Sequence, residues 1–402
     1  MNVTLSQISK VHALSKAQLL AIQDDEFDYQ ILDQRELILK KVIEWAKSNV
    51  NKSKIQNLIR SYIHYKKDFN TIFKPLSVLV LSHGVYISQF LDPNILRDVL
   101  LIKIANSNNI VVPYRNPDLL IEGYIGIILN KLRDKIINFV FTYAVFQCGV
   151  PVETNNKQYK WCSRRGINDY VITEYLEGSK ELVQYIYHCN KTKLMIILLQ
   201  IACALRLAKI TCNFSHNDLW ASNVLIQDLT TPVNVKIYTP NGIKIIKTDI
   251  IATIIDFGFS GATDESGTSI GIFNVSKGEN LGNLQITEDF HYLITDLYRE
   301  LNIDTKSFES LNIEISGNSG EEYSQSEARK RKEFKNNVKE CTNLLNDIYQ
   351  YYSDEKLYYY FRFMPDIMKY RRIPRVTNEI KVFDEIINGM IGMNLVKLYN
   401  LP

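Results

Sequence analysis

Phe214-Ser-His-Asn-Asp-Leu-Trp-Ala-Ser-Asn-Val-Leu-Ile226 decides how the rest of this 402-residue chain is read. His216 is followed two residues later by Asp218 and, five beyond that, by Asn223, before the segment runs into an apolar, strand-like stretch. Thr253-Ile-Ile-Asp-Phe-Gly258 then places a second acid, Asp256, behind a β-branched run. One carboxylate able to orient a hydroxyl, with an Asn and a second carboxylate able to hold Mg²⁺, is the smallest set that phosphoryl transfer requires.

The order, spacing and strand contexts of these two segments resemble the catalytic loop and metal-binding motif of protein kinases, H-x-D-x-x-x-x-N followed by D-F-G. The resemblance covers roughly residues 76 to 300 and implies an α+β fold of the bilobal protein-kinase-like type, with a five-stranded small lobe and a mainly helical large lobe. It implies that Asp218 orients the substrate hydroxyl, that Asn223 and Asp256 hold Mg²⁺, and that His216 supports the loop backbone. Phe257 would pack beneath the metal-binding acid, Gly258 would be its hinge, and Asp289 would brace the catalytic loop from a helix. In the small lobe, Lys103 within Leu100-Leu-Ile-Lys-Ile-Ala105 fits the phosphate-binding lysine of the third strand, paired with Glu122 on the following helix. Gly84 in Ser82-His-Gly-Val85 stands where the family has a glycine-rich loop. Thr173-Glu-Tyr-Leu176 matches the segment that joins the lobes: Thr173 is the gatekeeper, and the backbone of Glu174 and Leu176 contacts adenine. The implied cofactors are ATP and Mg²⁺.

Four departures narrow the resemblance. Asn217 stands where most protein kinases have Arg, Trp220 replaces the Lys that assists the γ-phosphate, no A-P-E follows D-F-G, and an extra hairpin lies between Asn223 and Asp256. In these traits the chain is similar to haspin-like kinases and to the divergent serine/threonine kinases of large DNA viruses. Without the Arg, no cation adjoins Asp218 to receive a phosphate placed on Thr263, Ser266, Thr268 or Ser269, so the segment is expected to be ordered by packing against the extra hairpin. Phe259 after D-F-G accords, by the same resemblance, with serine preference.

Composition sets the outer bounds. A formal charge of +3 over this length demands neither a nucleic acid nor a membrane surface as partner. The six cysteines, Cys148, Cys162, Cys189, Cys203, Cys212 and Cys341, show no C-x-x-C spacing, which argues against zinc and disulfide frameworks and for a reducing compartment. The start has no basic region followed by an apolar core. The expectation is therefore an intracellular, cytoplasmic protein, in host cytoplasm or a virion if viral. Leu194 to Ala208 is apolar but reads as too short to span a membrane and carries Gln200 and Arg206, so a buried helix is expected.

Residues 1–73 are polar and nearly free of Gly and Pro, with apolar positions at helical spacing, and read as a helical N-terminal extension. Residues 74–176 read as the small lobe: strands over Leu76–Leu81, Val85–Phe90, Val99–Ala105, Asn138–Cys148 and Tyr170–Leu176, and a helix opened by Asn116-Pro-Asp118. Residues 177–402 read as the large lobe, with a long helix over Thr192–Ile210, short strands from Val224 to Ile255, a Ser/Gly/Glu-rich loop within 302–325 and a charged C-terminal helical part. The basic run Arg329-Lys-Arg-Lys332 is interleaved with Glu327, Glu333 and Glu340 and reads as a solvated helix face.

The function expected is an ATP- and Mg²⁺-dependent serine/threonine protein kinase acting on a protein substrate. Two alternatives stand beside it: a small-molecule kinase of the choline or aminoglycoside type, whose loops also lack the Lys, and a non-catalytic kinase-fold scaffold, favoured by the sparse glycine loop.

Overall fold

The computed structural model describes residues 73–74, 85–90, 99–106, 119–133, 135–148, 152–153, 159–160, 168–271, 286–315, 325–350 and 379–400. The helical extension expected before Phe73, the strand expected at Leu76–Leu81, Gly84 and the helix cap at Asn116–Asp118 lie outside these residues. The chain divides into two compact units: one gathers the described parts of Met1–Asp134, Phe139–Glu177 and Asp256–Asn283, the other those of Lys135–Asn138, Gly178–Ile255 and Leu284–Pro402.

The first unit is built on an antiparallel five-stranded sheet in the order β1-β2-β3-β7-β4. These strands are β1 (Phe73–Lys74), β2 (Val85–Phe90), β3 (Val99–Asn106), β7 (Asn168–Glu174) and β4 (Thr142–Cys148). Two short strands, β5 (Val152–Glu153) and β6 (Tyr159–Lys160), pair as a separate ribbon. Between β3 and β4 lies helix α1 (Leu119–Asn130), whose residues from Glu122 to Leu129 are all buried.

Register explains how α1 meets the sheet. Lys103 of β3 pairs with Val171 of β7, and Val171 pairs with Val145 of β4, so the three form one row across three strands. Gly123 comes down onto this row: a Cβ there would stand 2.3 Å from a methyl of Val145 and 2.7 Å from one of Val171. One turn on, a Cβ at Gly126 would meet the Thr142 hydroxyl at 2.1 Å. The glycines cost intrinsic helix propensity but allow the close approach that brings the neighbouring Glu122 to the end of the row. Asn130 then secures the helix end, donating to Thr142 O at 2.6 Å and accepting from Thr142 N at 3.0 Å.

Gly123→Ala is expected to lower stability by about 1–3 kcal/mol, because the two valines are buried and branched and cannot give way cheaply. Chemical denaturation would show it as a lower midpoint. Gly392→Ala, where nothing lies within 4 Å, should be neutral by the same measurement.

The second unit centres on α2 (Lys191–Cys212), 22 residues long, with both leucines of Leu198-Leu199 and Ile201 to Leu205 buried. It is longer than the apolar run suggested, because polar caps extend it. The Asn190 side chain accepts from Lys193 N at 2.9 Å, and Asn213 closes the far end in the left-handed conformation at φ 48°. Among the described residues this one helix is long and apolar enough to cross a membrane, but 67% of its window is buried inside the fold. Gln200, fully buried in the middle, serves the neighbouring strand: it donates to Ile250 O at 2.9 Å and accepts from Ala252 N at 3.2 Å and Asn138 Nδ2 at 3.0 Å.

Where four short strands were expected between Val224 and Ile255, there are two long ones, β9 (Val224–Thr239) and β10 (Gly242–Ile254). The ladder is shifted between Thr248 and Ile250, opposite Val233 and Asp228, and the excursion holds Pro232, which has no N–H to give a central ladder. With β8 (Lys180–Glu181) and β13 (Leu398–Asn400) they form a four-stranded sheet. Three further helices complete it: α3 (Ile286–Ile315), α4 (Gln325–Gln350) and α5 (Glu379–Gly392). Helix α3 runs to Ile315, and the Ser/Gly/Glu-rich loop expected within 302–325 falls on the residues after it, outside those described. Arg206 of α2 forms an ion pair with Asp384 of α5, and Lys209 meets Glu379 at 3.2 Å.

Candidate active site

In the second unit, α2 delivers the chain through Asn213 into the loop that opened the sequence argument. Phe214, Leu219, Ala221 and Val224 are fully buried and anchor it, while Asp218 and Asn223 stay partly exposed between them. His216 is also buried, its Nε2 lying 2.9 Å from Ile255 O. Asn217 adopts φ 65°, a left-handed conformation that Asn tolerates better than most residues. The Asn223 amide donates to Asp218 O at 2.7 Å and lies 3.5 Å from Asp218 Oδ2. That donation commits the NH₂ end of the amide and leaves its oxygen end as an acceptor.

Helix α3 underlies the loop with one face. Asp289 accepts from the backbone N–H groups of His216 and Asn217, both at 2.6 Å. One turn pair later, Asp296 accepts from Ala221 N at 2.9 Å and is paired with Arg299. Tyr292 and Arg299 lie against the Trp220 ring, each at 5.9 Å. Burial pushes the Asp289 carboxyl up to about 7 even though its two N–H donors oppose the shift. Asp296, Tyr292 and Arg299 were missed in the sequence. They recur from Asp289 at the three-four spacing of a helix face, which is the signal that could have found them.

In the first unit, the sheet row ends in charge. Lys103 Nζ stands 2.6 Å from Glu122 Oε1 and 3.4 Å from Asp256 Oδ1. Burial alone would push the Lys103 ammonium down, but the two carboxylates beside it outweigh burial and hold it above its ordinary value. Asp256 sits at φ 65° with its side chain 38% exposed, whereas Phe257 next to it is buried and lies 6.2 Å from Phe139. The lysine therefore bridges a buried acid on α1 and an accessible one in the D-F-G segment.

That segment continues as a hairpin, β11 (Gly261–Thr263) with β12 (Ser269–Gly271). Asp264 holds its turn, accepting from Ser266 N at 2.9 Å, Ser266 Oγ at 2.7 Å and Thr268 N at 3.0 Å. Its other oxygen accepts from Tyr124 OH of α1 at 3.1 Å, and Glu265 pairs with Lys131 at 2.7 Å. These ties run to α1.

Of the segment expected to contact adenine, Glu174 has its N–H bound to Phe141 O at 2.9 Å. Its carboxylate accepts from Phe141 N at 2.8 Å and from Arg133 Nη2 at 3.0 Å, a structural duty the sequence did not suggest. Leu176 is half-buried just beyond the strand. The Thr173 hydroxyl is buried and has no hydrogen-bond partner among the described residues.

Residues 162–315 match the family model described as poxvirus serine/threonine protein kinase, a stretch that holds the catalytic loop, the β9–β10 hairpin and Asp256. The chain thus resembles a divergent viral-type protein kinase. Over 136 residues it is 29% identical to uncharacterized protein 179R of Invertebrate iridescent virus 6; the match takes in 33% of this chain and only 11% of that much longer relative. Two solved structures of the Rad53 kinase domain and SCD2, one of them in complex with AMPPNP, align over 47% and 48% of this chain and 52% and 53% of theirs. Their identities are 13% and 15% and their TM-scores 0.26 and 0.27.

Proposed function

We propose that this chain is an ATP- and Mg²⁺-dependent protein kinase that transfers the γ-phosphate to Ser or Thr hydroxyls of proteins. The observation that carries the reading is the Lys103 ammonium, held at 2.6 Å from buried Glu122 and at 3.4 Å from accessible Asp256. Such a pre-placed cation can neutralise phosphate oxygens without reorganising as charge develops. Asp256 and the amide oxygen of Asn223 are hard ligands of the kind Mg²⁺ takes. When bound, the metal would offset negative charge on the phosphates. Asp218 orients the substrate hydroxyl: as its oxygen bonds to the γ-phosphorus, the bond to the bridging oxygen breaks, the nucleoside diphosphate leaves, and the hydroxyl proton passes to the carboxylate. Gly84, expected in the phosphate-covering loop, remains part of this proposal by resemblance alone.

The test is transfer from γ-labelled ATP with Mg²⁺ to a mixed protein extract and, separately, to small alcohols. Phosphoserine or phosphothreonine in protein is the expected result. Label only in the small alcohols would make this a small-molecule kinase, and none in either would make it a scaffold.

Regulation follows from Asp264. Its carboxylate already orders the segment after D-F-G and ties it to α1 through Tyr124, the work that a phosphate does in kinases with an Arg at the Asn217 position. Phosphatase treatment should therefore change turnover by less than about twofold, since losing even one charge-assisted bond of about 1.5 kcal/mol would cost roughly tenfold. A tenfold fall, reversed by autophosphorylation, would contradict this.

A further inference from the structure

We infer that Trp220 is a positioning residue for Asp218, its indole N–H holding one oxygen of the carboxylate in place. The inference rests on the reading above that Asp218 serves phosphoryl transfer. Trp220 Nε1 donates to Asp218 Oδ1 at 2.6 Å, the short distance of a charge-assisted bond. A tight turn makes this possible: Trp220 N lies 3.0 Å from Asp218 O, so the two side chains rise from the same bend.

The ring itself has little freedom. Tyr292 lies 5.9 Å from it, tilted by 35°, and the Arg299 guanidinium sits 5.9 Å from its centroid. Arg299 is anchored in turn by Asp296, which also holds the backbone of Ala221 beside the tryptophan. An indole N–H can only donate, so the bond has one direction and commits Oδ1. Oδ2, on the side of Asn223, is then the oxygen presented to a hydroxyl.

The experiment compares wild type, Trp220→Phe, Trp220→His and Asp218→Asn in steady-state transfer to protein, with thermal unfolding of each. Trp220→Phe keeps an aromatic ring against Tyr292 and Arg299 but loses the donor; kcat should fall between about tenfold and a hundredfold, the effect of one charge-assisted hydrogen bond. KM for nucleotide and the melting temperature should not move. Trp220→His, which restores a ring N–H, should recover most of the loss. Full kcat in Trp220→Phe overturns the inference. So does a fall accompanied by a matching rise in KM or drop in melting temperature, which marks a packing role, and so do equal losses in the Phe and His variants. Activity retained in Asp218→Asn, by contrast, would overturn the proposed function itself.

Discussion

Asp256→Ala is expected to abolish Mg²⁺-dependent stabilisation by nucleotide. The wild-type chain, at a hundredfold excess of Mg-ATP over its dissociation constant, should gain about 2.7 kcal/mol of unfolding free energy, visible as an upward thermal shift. In the variant the shift should be lost. In the proposed site Asn223 would contribute an amide oxygen and no charge, so with Asp256 gone no carboxylate of the D-F-G segment would remain to hold the metal. The fold should survive, because the Asp256 side chain is 38% exposed and its neighbour Phe257 supplies the buried contact. An unchanged shift would remove Asp256 from the site.

Lys103→Met should reduce turnover by about 10²-fold or more, the scale of losing one pre-placed donor to a developing negative charge. It should also destabilise the fold by about 3 kcal/mol, because Glu122 would be left buried without its partner at 2.6 Å. The two effects separate in the double variant Lys103→Met with Glu122→Gln: stability should return in denaturant titration while turnover stays low. Recovery of both together would mean that Lys103 is only one half of a structural ion pair.

These residues were legible in the sequence because their chemistry is written in short, rigidly spaced segments. Lys103 stands in an apolar strand, Asp218 and Asn223 lie in one turn, and Asp256 follows a β-branched run. What the sequence hid is the long-range satisfaction of polar groups. Gln200 looked like an interruption of an apolar helix, yet it completes the backbone bonding of β10 some fifty residues later in the chain. Glu174 was expected to serve through its backbone, and its carboxylate turns out to fasten Arg133 and Phe141. The merging of four expected strands into β9 and β10 escaped notice for a related reason: polar residues and Pro232 at the excursion resemble a loop, although the ladder resumes on both sides. Tyr124 and Asp264 are 140 positions apart, and no local pattern announces that one orders the segment of the other.

The most direct test of the account is pre-steady-state phosphoryl transfer by the wild type and by Asp218→Asn at saturating Mg-ATP and protein substrate. The account predicts that the variant binds nucleotide as the wild type does but transfers phosphate about 10²- to 10⁴-fold more slowly, the range of a positioned general base. Equal transfer rates in the two proteins would contradict it.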